Sequence, residues 1–246
     1  MKTAPLLLAL FSLTARSAVF YTEGHADIGI GYEDNEIEPH FHAEEAIIDG
    51  SYVEDVEYEA DEVVIGVGHS GYNHWVGLGG RPASASWAPV GVSAGTPFWF
   101  LPQTQTLSES LSLPFLGVGS EELSPADWTG NLLVALTSVS GPGEFSMWQD
   151  GFFGPNFVMS TANGISGADA FNVVPGGHDH YNFGFTASGT YEVTWEVSGI
   201  HNLDGAKSAS GTYTFHVAAS VPEPASAGML VAGAILIRAM RRRPNR

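Results

Sequence analysis

Residues 190–198, Thr-Tyr-Glu-Val-Thr-Trp-Glu-Val-Ser, alternate apolar and polar side chains without a break. Successive side chains of a β-strand point to opposite faces. The run therefore puts Tyr191, Val193, Trp195 and Val197 on one face and Thr190, Glu192, Thr194 and Glu196 on the other, a pattern that a 3.6-residue helical period would scatter. Residues 212–217 repeat it with Tyr213, Phe215 and Val217 inward, and 200–211 read as the polar connection of a hairpin. Further strand candidates are 25–30, 37–43, 63–67, 97–101, 132–139, 144–148, 157–160, 170–173 and 178–185. The chain's 30 glycines and 14 prolines fall mostly between these runs, as short strands joined by turns require. No body segment sustains a helical period; Ser120 and Ser124-Pro125 can each open a single helical turn. The expectation is an all-β body over 19–217, an Ig-like β-sandwich with a jelly roll as the alternative.

The two ends are of a different character. Met1-Lys2 supplies a positive start, Pro5 to Leu13 an apolar run, and Ala15-Arg-Ser-Ala18 a small-residue stretch, which together predict a signal peptide over 1–18. At the other end a linker over 218–227 carries Pro222-Glu223-Pro224. An apolar span begins at Gly228, and Arg238, Arg241, Arg242 and Arg243 follow it. From Ala225 to Met240 only Arg238 is charged. Sixteen helical residues reach ~24 Å, a little short of a ~30 Å hydrocarbon core. Arg238 can snorkel, and the arginines after it favour the cytoplasmic side, leaving the body outside. Small polar motif, short span and terminal arginine cluster, in that order, resemble the PEP-CTERM sorting tail. The resemblance implies a bacterial protein processed by an exosortase-type enzyme, held in the inner membrane during sorting and then placed at the cell surface or in the extracellular matrix.

With both ends set aside, the basic residues of the body reduce to Arg81 and Lys207, against 26 acidic residues. A chain with so little positive charge has nothing to neutralise phosphates, which excludes nucleic acid as a partner. Cations, cationic surfaces and neutral polymers such as extracellular polysaccharide remain, beside the plainer role of keeping an exported protein soluble. There is no cysteine, so cysteine catalysis and thiolate metal sites are excluded. Any metal must be held by His, Asp, Glu or backbone oxygen.

Four separated stretches of the body share a further likeness. They are Glu23-Gly-His-Ala-Asp-Ile28; Gly91-Val-Ser-Ala-Gly95 with Leu101-Pro-Gln-Thr-Gln105; Val139-Ser-Gly-Pro-Gly-Glu-Phe145 to Trp148; and Gly177-His-Asp-His-Tyr-Asn-Phe-Gly-Phe-Thr186 to Gly189-Thr-Tyr191. In this order they resemble the choice-of-anchor M, or actinobacterial-type surface-anchored, domain. The resemblance implies a surface protein whose anchor differs between bacteria, with some members encoded near metal-type ABC transporters. It implies no established activity.

The histidines carry the candidate chemistry. His25-x-Asp27, His40-x-His42 and His178-x-His180 each place two potential ligands two residues apart within expected strands. Each pair thus projects from one face with Cα atoms roughly 6.5 to 7 Å apart. Two or three such pairs on neighbouring strands would make a thiolate-free site for Zn²⁺, Cu²⁺ or Ni²⁺. His25, His40, His42, His178 and His180 are the expected ligands. His69 and His74 could add to it from a loop, whereas His201 and His216 read as ordinary surface residues. No Gly-x-Ser-x-Gly elbow is present. The acidic stretches 33–36 and 54–62 do not follow the EF-hand pattern and read as solvated loops. Three functions remain open: a non-enzymatic surface protein holding a transition metal, a structural or adhesive matrix component without one, and a metal-dependent hydrolase.

Overall fold

The computed structural model describes residues 17–68 and 80–218. Its strands are β1 (Val19–Glu33), β2 (Glu36–Ile48), β3 (Ser51–Glu59), β4 (Val63–Val67), β5 (Trp99–Leu101), β6 (Pro114–Gly119), β7 (Leu132–Ser140), β8 (Phe145–Gly151), β9 (Gly154–Ser160), β10 (Ala170–Val173), β11 (His178–His180), β12 (Asn182–Phe185), β13 (Gly189–His201) and β14 (Gly205–Val217). Among the described residues helical structure is confined to α1 (Gln105–Leu111) and 3₁₀ turns at Ala85–Val90 and Pro125–Asp127. The protein is all-β, as the alternation predicts. Its strands form a ten-stranded sheet, in which β10-β7-β13-β14-β4-β1-β2-β3 run side by side, and a four-stranded sheet in the order β5-β12-β8-β9. Strand β6 lies parallel to the middle of β1, Gly24 to Gly29, and β11 lies antiparallel to the outside of β6.

The inward face of β13 is the predicted one: Tyr191, Val193, Trp195 and Val197 are all buried. Together with Tyr213, Phe215 and Val217 of β14 they meet Phe145, Met147, Phe183 and Phe185 of the small sheet. The Phe185 and Phe215 rings lie 5.2 Å apart between centroids, and the Trp195 indole N–H donates to Met159 Sδ at 3.1 Å. Each such side chain taken from water contributes about 1.5 to 3 kcal/mol. The two sheets are thus clamped by an aromatic layer.

The structure departs from the sequence reading in four places. The hairpin connection expected over 200–211 is shorter, the turn at 202–204: β13 and β14 pair continuously from Gly189↔Val217 to His201↔Gly205, because backbone pairing needs no apolar side chain once both strands are in register. The acidic stretch at 51–59 is the edge strand β3, paired to β2, its charges turned to solvent as edge strands require. Residues 178–185 break at Tyr181. His178–His180 joins the large sheet and Asn182–Phe185 the small one, so Asn182 leaves the histidine face, and its Oδ1 accepts from the Gln103 N–H at 3.0 Å. Strand β6 was not expected at all. Among the described residues no helix is long and apolar enough to cross a membrane. Residues 1–16 of the expected signal peptide 1–18, the motif Pro222, Glu223 and Pro224, the span from 228, Arg238, Arg241, Arg242 and Arg243, and His69 and His74 lie outside the described residues.

Candidate metal centre

The site is laid out by strand register on the face of the large sheet that turns away from the core. Asp27 of β1 sits opposite His42 of β2 on one side and Gly117 of β6 on the other, and Gly117 sits opposite His180 of β11. The neighbouring row reads His40, Gly29, Gly119, His178. The intervening Ile28, Phe41, Leu116 and Val118 point the other way and are buried.

The glycines clear the floor. A Cβ at Gly117 would run into Asp27 Oδ1 and come within 3.1 Å of the His180 ring; one at Gly119 would meet Glu121 and lie 3.2 Å from Asp27 Oδ2; one at Gly29 would enter the His40 imidazole. In this gutter the Asp27 carboxylate lies down against the sheet and is only 2% exposed, although it faces away from the core.

One donor atom from each of His25, Asp27, His178 and His180 lies within 4.8 Å of every other. His178 Nε2 and His180 Nε2 are 2.8 Å apart, and His25 Nε2 is 3.8 Å from Asp27 Oδ1. The other ring nitrogens of two histidines are taken: His25 Nδ1 is 2.7 Å from Glu44 Oε2 and His178 Nδ1 is 2.6 Å from Glu121 Oε1. A carboxylate at Nδ1 fixes the proton there and turns the Nε2 lone pair towards the centre. Glu44 reaches its position through a β-bulge, for the β1–β2 register passes from His25↔Glu45 to Ala26↔Ala43 and leaves Glu44 as the extra residue, re-aiming its side chain as bulges do. Gly24, at φ +89°, lies beside this irregularity, and a Cβ there would strike the Glu45 carbonyl. The Phe115 ring stacks on His180 at 3.6 Å and 8°, holding the imidazole flat.

Electrostatically the cluster is frustrated without a cation. His25 Nε2 and both Asp27 oxygens are buried with no hydrogen-bond partner, an arrangement that costs a desolvation penalty for every orphaned atom. Burial, assisted by Glu121 and Glu44 and opposed by His178, pushes the Asp27 carboxyl up to about 7. Burial also pulls His180 down to about 4, with His178 acting in the same sense. It lowers His25 as well, against the pull of Glu44. Neutral imidazoles beside a carboxylate form a ligand set. Zn–N bonds of about 2.0–2.1 Å imply donor separations near ~3.4 Å in a tetrahedron. The observed 2.8 and 3.8 Å fall on either side of it.

The five expected histidines do not share one site. His25, His178 and His180 come together. His42 pairs instead with Asp55, Nε2 to Oδ1 at 3.0 Å, and His40 faces Glu57 and Glu122. The reason is spacing: β2 and β11 are separated by β1 and β6, three strand intervals or about 14 Å. Asp27, noted in the His25 spacing but absent from the expected ligand set, is the residue that joins the cluster. His201 is not an ordinary surface residue. It is buried, stacks on Tyr32 at 4.5 Å and holds Asp204 at 2.7 Å. His216 is exposed, as expected.

No family model, curated protein or solved structure matches this chain.

Proposed function

We propose that this is a non-enzymatic, exported bacterial surface protein that holds one late first-row transition ion, Zn²⁺, Cu²⁺ or Ni²⁺, on His25, His178, His180 and Asp27. The observation that carries the metal reading is the orientation of the donors: carboxylates occupy Nδ1 of His25 and His178, and the Nε2 atoms converge beside a buried carboxylate that has no other partner. Imidazole-rich sets suit these ions, and supporting carboxylates behind ligating histidines are the usual outer shell. Export and sorting rest on the resemblance of residues 222–246 to the PEP-CTERM tail, and the surface role on the likeness to the choice-of-anchor M domain. An exosortase-type enzyme, the inner membrane and extracellular polysaccharide are the partners this reading implies. The finer architecture is read as an Ig-like sandwich with added parallel strands, with a jelly roll as the alternative. In favour of the former, the Tyr191 hydroxyl, at the start of β13, donates to the Ala187 carbonyl at 3.0 Å, in the manner of a tyrosine corner.

The test is calorimetric titration of the exported protein, purified without an affinity tag and stripped with chelator. About one equivalent of Zn²⁺ should bind tightly and raise the melting temperature. His178→Ala with His180→Ala should abolish that step, and His216→Ala should leave it intact. Equal losses in both variants, or no saturable tight step, would eliminate the metal reading and favour a matrix component whose histidines carry no ligand.

A further inference from the structure

The structure assigns a second cation site, separate from the first and of harder ligand character, to His40, Glu57 and Glu122, and we propose that it takes a divalent ion of the Mn²⁺ class. One donor atom from each of these residues lies within 4.8 Å of the others. They line a cleft of about 550 Å³ together with Tyr32, Glu33, Glu38 and Glu59.

Acidic side chains around a cleft are not in themselves a site. The deciding observation is His40. This residue is 6% exposed, and its Nδ1 lies 3.1 Å from the Glu38 carbonyl, which can only accept. The carbonyl fixes a proton on Nδ1, so in the neutral ring it is Nε2 that presents a lone pair to the cleft. Nε2 is buried, closes no hydrogen bond, and stands 3.0 Å from Glu122 Oε1. At that distance either a proton, giving an imidazolium–carboxylate pair, or a metal cation must join the two atoms, and a third donor from Glu57 within 4.8 Å of both favours the metal. The backbone makes room for this: Gly29 admits the imidazole, and a Cβ at Gly31 would already lie 3.0 Å from Glu122 Oε2.

The ligand set differs from the first in kind. One imidazole and two carboxylates prefer a harder ion than three imidazoles do, and carboxylate and water ligation suits Mn²⁺. Glu57 and Glu122 are exposed, so the ion would retain waters on the cleft side. The surrounding glutamates raise the local concentration of any divalent cation and speed its arrival. The same face of the sheet would then carry two centres, a softer one at β1–β6–β11 and a harder one at β1–β2–β3.

The inference does not depend on the first site, and its test keeps them apart. Mn²⁺ should be titrated into the chelator-stripped exported protein, with free ion followed by its electron paramagnetic resonance signal. One saturable site is expected in the wild type and, undiminished, in the His178→Ala, His180→Ala variant. Glu122→Gln, at an exposed position, should weaken it at least about tenfold, and His40→Ala by more than the roughly 10- to 100-fold that loss of a supporting hydrogen bond costs. Should His40→Ala fail to fold by circular dichroism, Glu122→Gln decides. No saturable Mn²⁺ site in the wild type, unchanged affinity in Glu122→Gln, or loss of Mn²⁺ binding in the His178, His180 variant would each overturn the assignment.

Discussion

Asp27 concentrates the cost of the first site in one residue. Its carboxyl is raised by burial from 3.8 to about 7, so between those values the folded chain holds a proton that the unfolded chain has released. By linkage this contribution to stability is present below pH ~4 and is lost as pH rises through about 7. His180 acts in the opposite sense. Its value is lowered from 6.5 to about 4, so its contribution is present above 6.5 and is lost as pH falls towards 4. Asp27→Asn removes the first dependence and leaves the second. In chelator at pH 8 this variant should be about 2 to 4 kcal/mol more stable than the wild type, at ~1.4 kcal/mol per pKa unit. Its stability should fall steadily from pH 6.5 to 4.5, where the wild type is flatter. Zn²⁺ affinity should drop in the same protein. Urea unfolding midpoints at three pH values measure the effect; a less stable variant at pH 8 would mean that Asp27 has a favourable partner in the metal-free fold.

At the scale of elements, the gutter of β6 decides where the ligands can lie. Gly117→Ala puts a methyl group into the place of Asp27 Oδ1. Overpacking of this kind costs about 1 to 3 kcal/mol, and the displaced carboxylate should cost tenfold or more in Zn²⁺ affinity. Gly167→Ala, whose added Cβ would meet nothing within 4 Å, should change neither Zn²⁺ affinity nor the melting temperature. Equal effects of the two substitutions would show that the gutter plays no part. The same strand shows where legibility ends. Strands such as β13, β4 and β10 are readable because their side chains alternate or are uniformly apolar. In Pro114–Gly119 one face is Leu116 and Val118 and the other holds Gly117 and Gly119, so the polar half of the alternation is missing. The repeated glycines at alternate positions were the available signal. The His-x-His and His-x-Asp spacings correctly placed pairs on one face, but spacing along a strand says nothing about which strands are neighbours. The separation of His40 and His42 from His25, His178 and His180 depends on β6 being inserted between β1 and β11, which is a long-range pairing.

On the scale of the whole molecule, only a few residues of sequence separate the folded body from the proposed sorting tail. The body ends on an interior strand: Val217 of β14 pairs with Val67 of β4, and the Ala218 N–H donates to the Val67 carbonyl at 3.1 Å. From Ala218 to Pro222 is four peptide units, which extend no farther than about 14 Å. A processing enzyme that acts at Pro222-Glu223-Pro224 therefore works close to a rigid, strongly acidic body with 26 acidic residues against 2 basic ones. That charge opposes adhesion to anionic lipid headgroups, so retention at the membrane would fall to the apolar span and its arginines alone. Replacing Pro222, Glu223 and Pro224 by alanine should leave export unaffected, because the amino-terminal segment is untouched. It should hold the protein in the inner-membrane fraction of its own host, because the span and Arg238, Arg241, Arg242 and Arg243 are intact while the motif is gone. Fractionation with an antibody against the body reads the outcome. A substituted protein that still reaches the surface in wild-type amounts would mean that these three residues do not direct sorting, while leaving both metal assignments to stand or fall on their own titrations.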